Sequence, residues 1–343
     1  MSARRAARRW IPAAAAAAGI VALAACAPAS EDARDHTLTD TLADTRADAL
    51  TVENCGAEVS FEGTPERAVL LRSGAVPFLH EIDVMDHVVA RAGQYPAGYY
   101  DDETLAELEE IPLLTDRVDS SGHLQITAEE IVAQEPDIVL GMNENLPRAQ
   151  LEELGLPLIE EPALCEIQGE EPSFDDIFAQ LELYGEIFDR REEAASAGEA
   201  LRERLDGLRV EGRERTAAVL FPTVGGGITY AYGTGSMATA QLEAAGYRNV
   251  FSDVSERVFE VSAEELITRD PDALVLLHSE PSPDGDGDGN ADAVMDAVTR
   301  LPGAGGLRAV RDDEVMTLLF NFVEPATPLT IDGLEQILAR LGE

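Results

Sequence analysis

Between Ile126 and Leu140 the chain reads Ile-Thr-Ala-Glu-Glu-Ile-Val-Ala-Gln-Glu-Pro-Asp-Ile-Val-Leu. The same order of apolar and polar positions returns at 261–275 as Val-Ser-Ala-Glu-Glu-Leu-Ile-Thr-Arg-Asp-Pro-Asp-Ala-Leu-Val. In each copy a hydroxyl residue precedes a Glu at capping-box spacing, Thr127 with Glu130 and Ser262 with Glu265, so a helix start is predicted there. The helix is short, because Pro136 or Pro271 stops it, and the apolar run beyond reads as a buried strand. Glu129 and Glu264 sit just inside the two helices, are not needed by the caps, and are expected to face solvent. A unit used twice argues for two similar lobes.

The remaining pattern fits that division. Strands are predicted at 68–71, 88–90 and 157–159, with helices over 75–82 and 147–154, and this alternation indicates a parallel α/β sheet. From Ser173 to Arg209 the apolar residues Ile177, Leu181, Tyr184, Phe188, Leu201, Leu205 and Leu208 fall near helical spacing with no proline. A single helix of about 36 residues would reach roughly 54 Å, enough to cross both lobes. Its apolar repeat is too loose for a coiled coil. A strand at 217–221, a glycine turn from Gly225, a helix over 237–245, the second repeat unit, a strand at 315–319 and a helix over 327–341 complete the second lobe. The expected fold class is α/β: two Rossmann-like lobes with parallel sheets, joined by one long spine helix, with the ligand cleft between them. The expected segments are 1–25 (signal), 26–50 (tether), 51–172 (first lobe), 173–209 (linking helix) and 210–343 (second lobe).

Composition narrows the function. The formal charge is −41, from 66 acidic and 25 basic residues, and every basic residue is Arg. The absence of Lys excludes P-loop, Schiff-base and Ser-Lys chemistry. The acidity argues against nucleic acid, which needs a basic face for counterion release; a solvated, solubilising surface is the plain reading. Arg4, Arg5, Arg8 and Arg9 precede an apolar run from Ile11 to Ala25 that is short for a membrane span, which reads as a secretory signal. Its end, Leu23-Ala24-Ala25-Cys26, resembles a bacterial lipobox and implies lipidation of Cys26. The protein is then exported and lipid-anchored to the outer face of the cytoplasmic membrane, with the paired arginines leaving a twin-arginine route open. The polar stretch 27–50 reads as a disordered tether. Cys55 and Cys165 remain as an even pair in an oxidising compartment, so a disulfide is expected.

No catalytic constellation emerges, and the expectation is a binder that needs no cofactor, not an enzyme. Gly233-Thr-Gly-Ser-Met-Ala matches a loose dinucleotide pattern, but no clean strand precedes it and no acidic partner follows at the required distance. Asp284-Gly-Asp-Gly-Asp-Gly copies the start of a calcium loop, yet Met295 occupies the position that needs Glu, so a solvated loop is expected. His36, His80, His87, His123 and His278 lack metal-ligand spacing, and no Gly-x-Ser-x-Gly elbow is present. What is left is a set of Arg, Tyr, Phe and small polar residues on loops after strands. In the first lobe these are Arg72, Ser73, Tyr95, Tyr99, Tyr100 and Arg117; in the second, Tyr230, Tyr232, Arg257, Phe259, Phe320 and Asn321. Ligands of α/β sheets lodge at the carboxyl ends of strands, so the set is read as the wall of one cleft for a bulky ligand with anionic or polar groups.

From Val52 to Leu341 the chain resembles the periplasmic-type substrate-binding proteins of ABC importers for iron-siderophores, haem and cobalamin. The resemblance is carried by Pro65-Glu-Arg-Ala-Val, the two repeat units, the long helical segment and Ala244-Ala-Gly-Tyr-Arg-Asn-Val-Phe. It implies two α/β lobes with little hinge closure, a ferric siderophore bound between them, and a monomer that docks on an ABC permease dimer. Cobalamin or haem is the alternative ligand within the family, and a secreted enzyme on the same fold is the alternative outside it. Glu129 and Glu264 match the exposed glutamates with which relatives engage permease arginines. The tryptophans that line several family pockets have no counterpart, since Trp10 lies in the signal.

Overall fold

The computed structural model describes residues 50–119, 123–161, 164–165, 171–210, 214–225, 227–279 and 291–342. The signal, the tether, Cys26 and the acidic loop at 282–290 lie outside the described residues. Residues 46–343 form one compact unit, and the description below is of that unit.

The first lobe opens with a hairpin of β1 (Leu50–Asn54) and β2 (Ala57–Phe61), which the apolar pattern did not predict. The hairpin turns on Cys55 and Gly56, both at positive φ, the geometry of a two-residue type I′ loop. There follow β3 (Ala68–Leu70), α1 (Val76–Glu81), β4 (Val88–Arg91), α2 (Asp102–Glu110), α3 (Ala128–Val132), β5 (Ile138–Leu140), α4 (Arg148–Glu153) and β6 (Leu158–Ile159). Strands β4, β3, β5 and β6 lie side by side in that order, all parallel.

The linking segment is where the sequence reading is corrected. It is two helices, α5 (Asp175–Ile187) and α6 (Arg191–Leu208), instead of one. Asp189 takes a left-handed conformation between them, and the amide of Arg190 caps the carbonyl of Gly185 at 2.7 Å. The helices fold back on each other: a methyl group at Gly185 would lie 2.4 Å from Ala194 Cβ, and the Arg202 guanidinium stacks 4.2 Å from the Phe178 ring centroid. The apolar spacing continues through the break because both arms of the hairpin bury the same kind of face.

The second lobe contains β7 (Thr216–Pro222), β8 (Thr229–Tyr232), α7 (Met237–Ala244), β9 (Arg248–Asn249), β10 (Val258–Val261), α8 (Ala263–Arg269), β11 (Ala273–His278), α9 (Ala291–Thr299), α10 (Arg308–Arg311), β12 (Val315–Leu319) and α11 (Pro328–Leu341). Its sheet runs β10-β8-β7-β11-β12, with β9 also on β7. Strands β7, β9, β11 and β12 are parallel, but β8 runs against both β7 and β10, so this sheet is mixed and not parallel throughout as expected.

The repeat unit fixes strand register in the same way in both lobes. The Asp137 carboxylate accepts the amides of Glu66 and Arg67 just ahead of β3, at 2.8 and 2.9 Å. Asp272 accepts the amide of Thr216 at 2.8 Å at the start of β7. Each Pro-Asp pair therefore pins its own strand to its parallel neighbour, Ala68 beside Ile138 and Ala217 beside Ala273. Alternate strand residues then serve different cores, as a period of two requires. Val69, Val139 and Ile131 bury on one face of the first sheet, and Leu220, Leu274 and Phe251 on the outer face of the second. Leu70, Leu140, Val219 and Leu277 instead join Phe78, Tyr184, Leu201 and Leu334 in one core shared by both lobes. Continuous apolar packing joins the lobes.

Candidate functional site

The carboxyl ends of the first sheet's strands deliver Arg72 and Ser73 after β3, the tyrosine loop after β4, Met142 to Glu144 after β5, and Glu161 after β6. The end of β12 delivers Phe320 to Glu324 to the same seam. Asn321 of the second lobe is the junction. Its backbone amide donates to the Tyr99 hydroxyl at 3.0 Å, the hydroxyl donates to Asn321 Oδ1 at 3.1 Å, and Asn321 Nδ2 donates to Ser73 Oγ at 3.1 Å. Tyr100 donates to the Ser73 carbonyl at 3.4 Å. Ser73, Tyr99 and Asn321 are thus brought together, bonded to one another across the lobes.

Arg72 is directed by its own lobe: Nε donates to the Met142 carbonyl at 2.6 Å and Nη2 to Glu144 at 2.9 Å. Its side chain is 35% exposed, which keeps the remaining guanidinium edge open to an anionic group. The second lobe contributes aromatic side chains at the edge of the shared core. Tyr230 and Phe221 are register partners on β8 and β7, and Phe320 packs edge-on against Phe221 with centroids 6.0 Å apart. Phe221 was not in the sequence-derived set; its place at the carboxyl end of β7, half-buried after a run of buried residues, was the available signal. Tyr95 donates to the Ala92 carbonyl and lies under the Arg91 guanidinium. Burial pushes the Tyr95, Tyr100 and Tyr232 hydroxyls well up, so all three are neutral groups at physiological pH.

Several sequence-derived members sit elsewhere. Phe259 packs on Phe251 at 5.3 Å in the outer core, on the sheet face opposite Tyr230. Tyr232 is buried in the shared core. Arg117 bonds Thr115 and its charge acts on Glu130 beside α3, away from the seam. Arg257 is held within its own lobe, where its guanidinium bonds the carboxylate of Glu324, 3% exposed, while its own side chain remains 40% exposed. Burial pushes Glu324 up, against the pull of Arg257.

Glu161 was not anticipated at all. It is fully buried, and neither carboxylate oxygen has a hydrogen-bond partner among the described residues. A methyl group at Gly74 would lie 2.8 Å from Glu161 Oε1 and 3.4 Å from Pro325 Cγ, so the lobes touch directly over this carboxyl. Burial pushes it above the usual carboxylate range despite the nearby Arg72. As one of two successive glutamates in a loop, it carried no local sign of burial.

The two repeat units keep their glutamates outward. Thr127 and Glu130 make the full capping box, with Thr127 N–H donating to Glu130 at 2.8 Å. In the second copy Ser262 Oγ accepts from Glu265 N–H, but the Glu265 side chain turns to Arg269 at 3.0 Å, so the box is half formed. Glu129 and Glu264 are exposed and have no ion pair among the described residues. The expected bridge between Cys55 and Cys165 is present, with Cα atoms 5.1 Å apart. It forms because Asn54 ties the hairpin to the end of β6, donating to and accepting from Glu160 at 2.9 Å. No group of three or more His, Cys, Asp or Glu is placed to hold a metal among the described residues.

Known proteins share this fold. The sequence profile of the periplasmic binding proteins matches residues 71–321. An ABC-type Fe3+-hydroxamate transport protein from Saccharomonospora viridis superposes with a TM-score of 0.78 at 48% identity, covering 86% of this chain and 99% of its own. A periplasmic haem-binding protein from Pseudomonas aeruginosa shares the fold with a TM-score of 0.63 at 21% identity, covering 81% of this chain and 94% of its own. A vitamin B12-binding protein of Pectobacterium carotovorum is 29% identical over 157 residues, which is 44% of this chain and only 54% of that protein.

Proposed function

We propose that this chain, which belongs to the periplasmic binding protein family, captures a ferric hydroxamate siderophore between its lobes and hands it to an ABC permease in the membrane. The observation that carries the reading is the 48% identity to the Fe3+-hydroxamate transport protein over 99% of that chain's length. The seam supports it. A ferric hydroxamate chelate is bulky, with an apolar periphery and exposed carbonyl oxygens, and the Phe221, Tyr230 and Phe320 rings together with the Arg72 guanidinium are the chemistry that suits it. Three hydroxamate anions neutralise Fe(III), so the strongly acidic surface does not repel the chelate, and Arg72 serves as a hydrogen-bond donor to its oxygens. The chain binds as a monomer, performs no chemistry, and carries iron only as cargo inside the chelate. Family membership implies export; the lipid anchor on Cys26 is part of the proposal. Delivery is assigned to Glu129 and Glu264, which engage basic residues on two permease subunits.

Calorimetric titration with ferric desferrioxamine, cyanocobalamin and haemin tests the ligand. Saturable binding of the ferric chelate with weaker or no binding of the other two is the expected result. Tight binding of cyanocobalamin or haemin alone would move the assignment to that ligand, in line with the relatives just described. Turnover of any of the three would return it to an enzyme.

A further inference from the structure

Each repeat unit exposes a large aliphatic residue where solubility alone would favour a polar one. Ile131 and Leu266 point into their cores, and the next residue in each helix, Val132 or Ile267, points out. Val132 is 43% exposed and Ile267 36% exposed. They occupy the same position of the repeat, and each lies one helical turn after an acid that has no ion pair among the described residues, Glu129 or Glu264. A single exposed aliphatic residue is ordinary. Recurrence at the matching position of both lobes, beside matching unpaired acids, is not.

The surroundings of Ile267 keep it accessible. Gly303, at a positive φ of 89°, turns beneath Ile267, and a methyl group there would lie 2.7 Å from Ile267 Cδ1. A side chain at this turn would press on Ile267; glycine leaves bare backbone beside it, and Gly305 and Gly306 extend that bare strip with open space where side chains would be. The far ends of both helices are tied to the rest of their lobes. Arg67 donates to the carbonyls of Gln134 and Glu135 beyond α3, and Arg308 donates to the carbonyl of Asp270 at the end of α8. Each acid–aliphatic pair is therefore fixed on its lobe, and the shared core fixes one lobe to the other.

We infer that Val132 and Ile267 form the apolar half of the docking contact, so that each lobe presents one carboxylate and one aliphatic side chain as a unit. This rests on the importer reading above. It specifies the partner: a membrane permease with two equivalent sockets, each with a basic group beside an apolar patch, as a two-fold dimer supplies. The charge steers and orients the encounter, while desolvation of the aliphatic residue holds the complex. Two such units on one rigid body engage together, so removing both aliphatic residues weakens docking more than removing one.

The test measures docking of the full chain on its ABC permease in lipid nanodiscs, with and without ferric desferrioxamine. The variants are V132Q/I267Q, E129Q/E264Q and the unaltered chain. Both substituted pairs are expected to weaken docking by on the order of tenfold or more, with ferric desferrioxamine affinity and melting temperature unchanged. If E129Q/E264Q weakens docking while V132Q/I267Q does not, the apolar contact is wrong and the glutamate reading stands. If neither pair weakens docking, or the unaltered chain does not dock, both are wrong. A V132L/I267V exchange, which keeps the apolar character, should retain docking; its loss alongside V132Q/I267Q would point to shape in place of apolar burial and overturn the inference.

Discussion

The hydroxyl of Tyr99 and the amide of Asn321, from opposite lobes and 222 residues apart, bond reciprocally: the hydroxyl donates to Oδ1 at 3.1 Å and accepts the backbone N–H at 3.0 Å. Tyr99 is also edge-packed on Phe322 at 5.4 Å, so the contact is partly dry. A paired hydroxyl at the seam sets the distance between the lobes at which any ligand must fit.

Replacing Tyr99 by Phe removes both bonds and keeps the ring packing. Stability should fall by about 1–3 kcal/mol, the usual consequence of leaving buried polar groups without partners. Urea denaturation measures it; an unchanged midpoint would mean that the bond does not persist in solution.

The Cys55–Cys165 bridge closes a loop with a sequence separation of 110. On the chain-entropy account such a loop contributes about 4–5 kcal/mol, less any strain. Reduction, or a Cys55→Ser/Cys165→Ser double variant, should lower the guanidinium midpoint by the corresponding amount. Two titratable thiols in the unfolded, unreduced protein would show that the bridge is not made.

Arg257→Ala is expected to act on stability before it acts on ligand binding. It removes the cationic partner of the Glu324 carboxylate, which is 3% exposed, although Arg257 itself is 40% exposed and its charge is partly screened. The loss should be roughly 1–3 kcal/mol, below that of a fully buried pair. A companion Glu324→Gln change should recover most of it, and a double-mutant cycle by thermal denaturation measures the coupling. Weakened chelate binding with unchanged stability would return Arg257 to the ligand site.

Glu161→Gln tests the buried carboxyl. Its folded value is raised above the ordinary 4.5, so the folded protein favours the protonated form. Its contribution is therefore fully present below the unfolded value and is lost as pH rises through the folded value. The Gln variant should match the parent near about pH 4 and melt higher near about pH 8. Parallel melting curves across that range would show that Glu161 is solvated.

His80 adds a term of the same sign from a different cause. Desolvation lowers its pKa, but the Glu107 hydrogen bond at 2.7 Å and the charges of Glu107, Asp101 and Glu81 together outweigh it, so the net shift is upward. The stabilisation is present below its ordinary 6.5 and fades as pH rises through the raised value. His80→Gln should flatten the stability profile between about pH 6 and 8, measured by denaturant midpoints.

The sequence by itself determined the features whose cause is local. The hydroxyl–Glu spacing, the stopping prolines and the apolar runs of both repeat units predicted α3, β5, α8 and β11, because caps, proline and side-chain periodicity act within a few residues. The two-lobe α/β plan and the outward Glu129 and Glu264 followed from the same kind of pattern, while the bridge between Cys55 and Cys165 followed from an even cysteine count in an oxidising compartment. Tertiary structure decided what depends on distant partners. Helical spacing runs unbroken from Ile177 to Leu208, yet Asp189 breaks the helix because packing of Gly185 on Ala194 favours a hairpin. Antiparallel β8, with little apolar length of its own, is held by β7, and β10 in turn by β8. Most of all, residue type could not tell which polar groups were already spent. Asn321 is used by Tyr99 and Ser73, and Arg257 by Glu324, while Glu161 is sealed beneath the seam; each outcome is set by a contact between segments far apart in the chain, where local pattern carries no information.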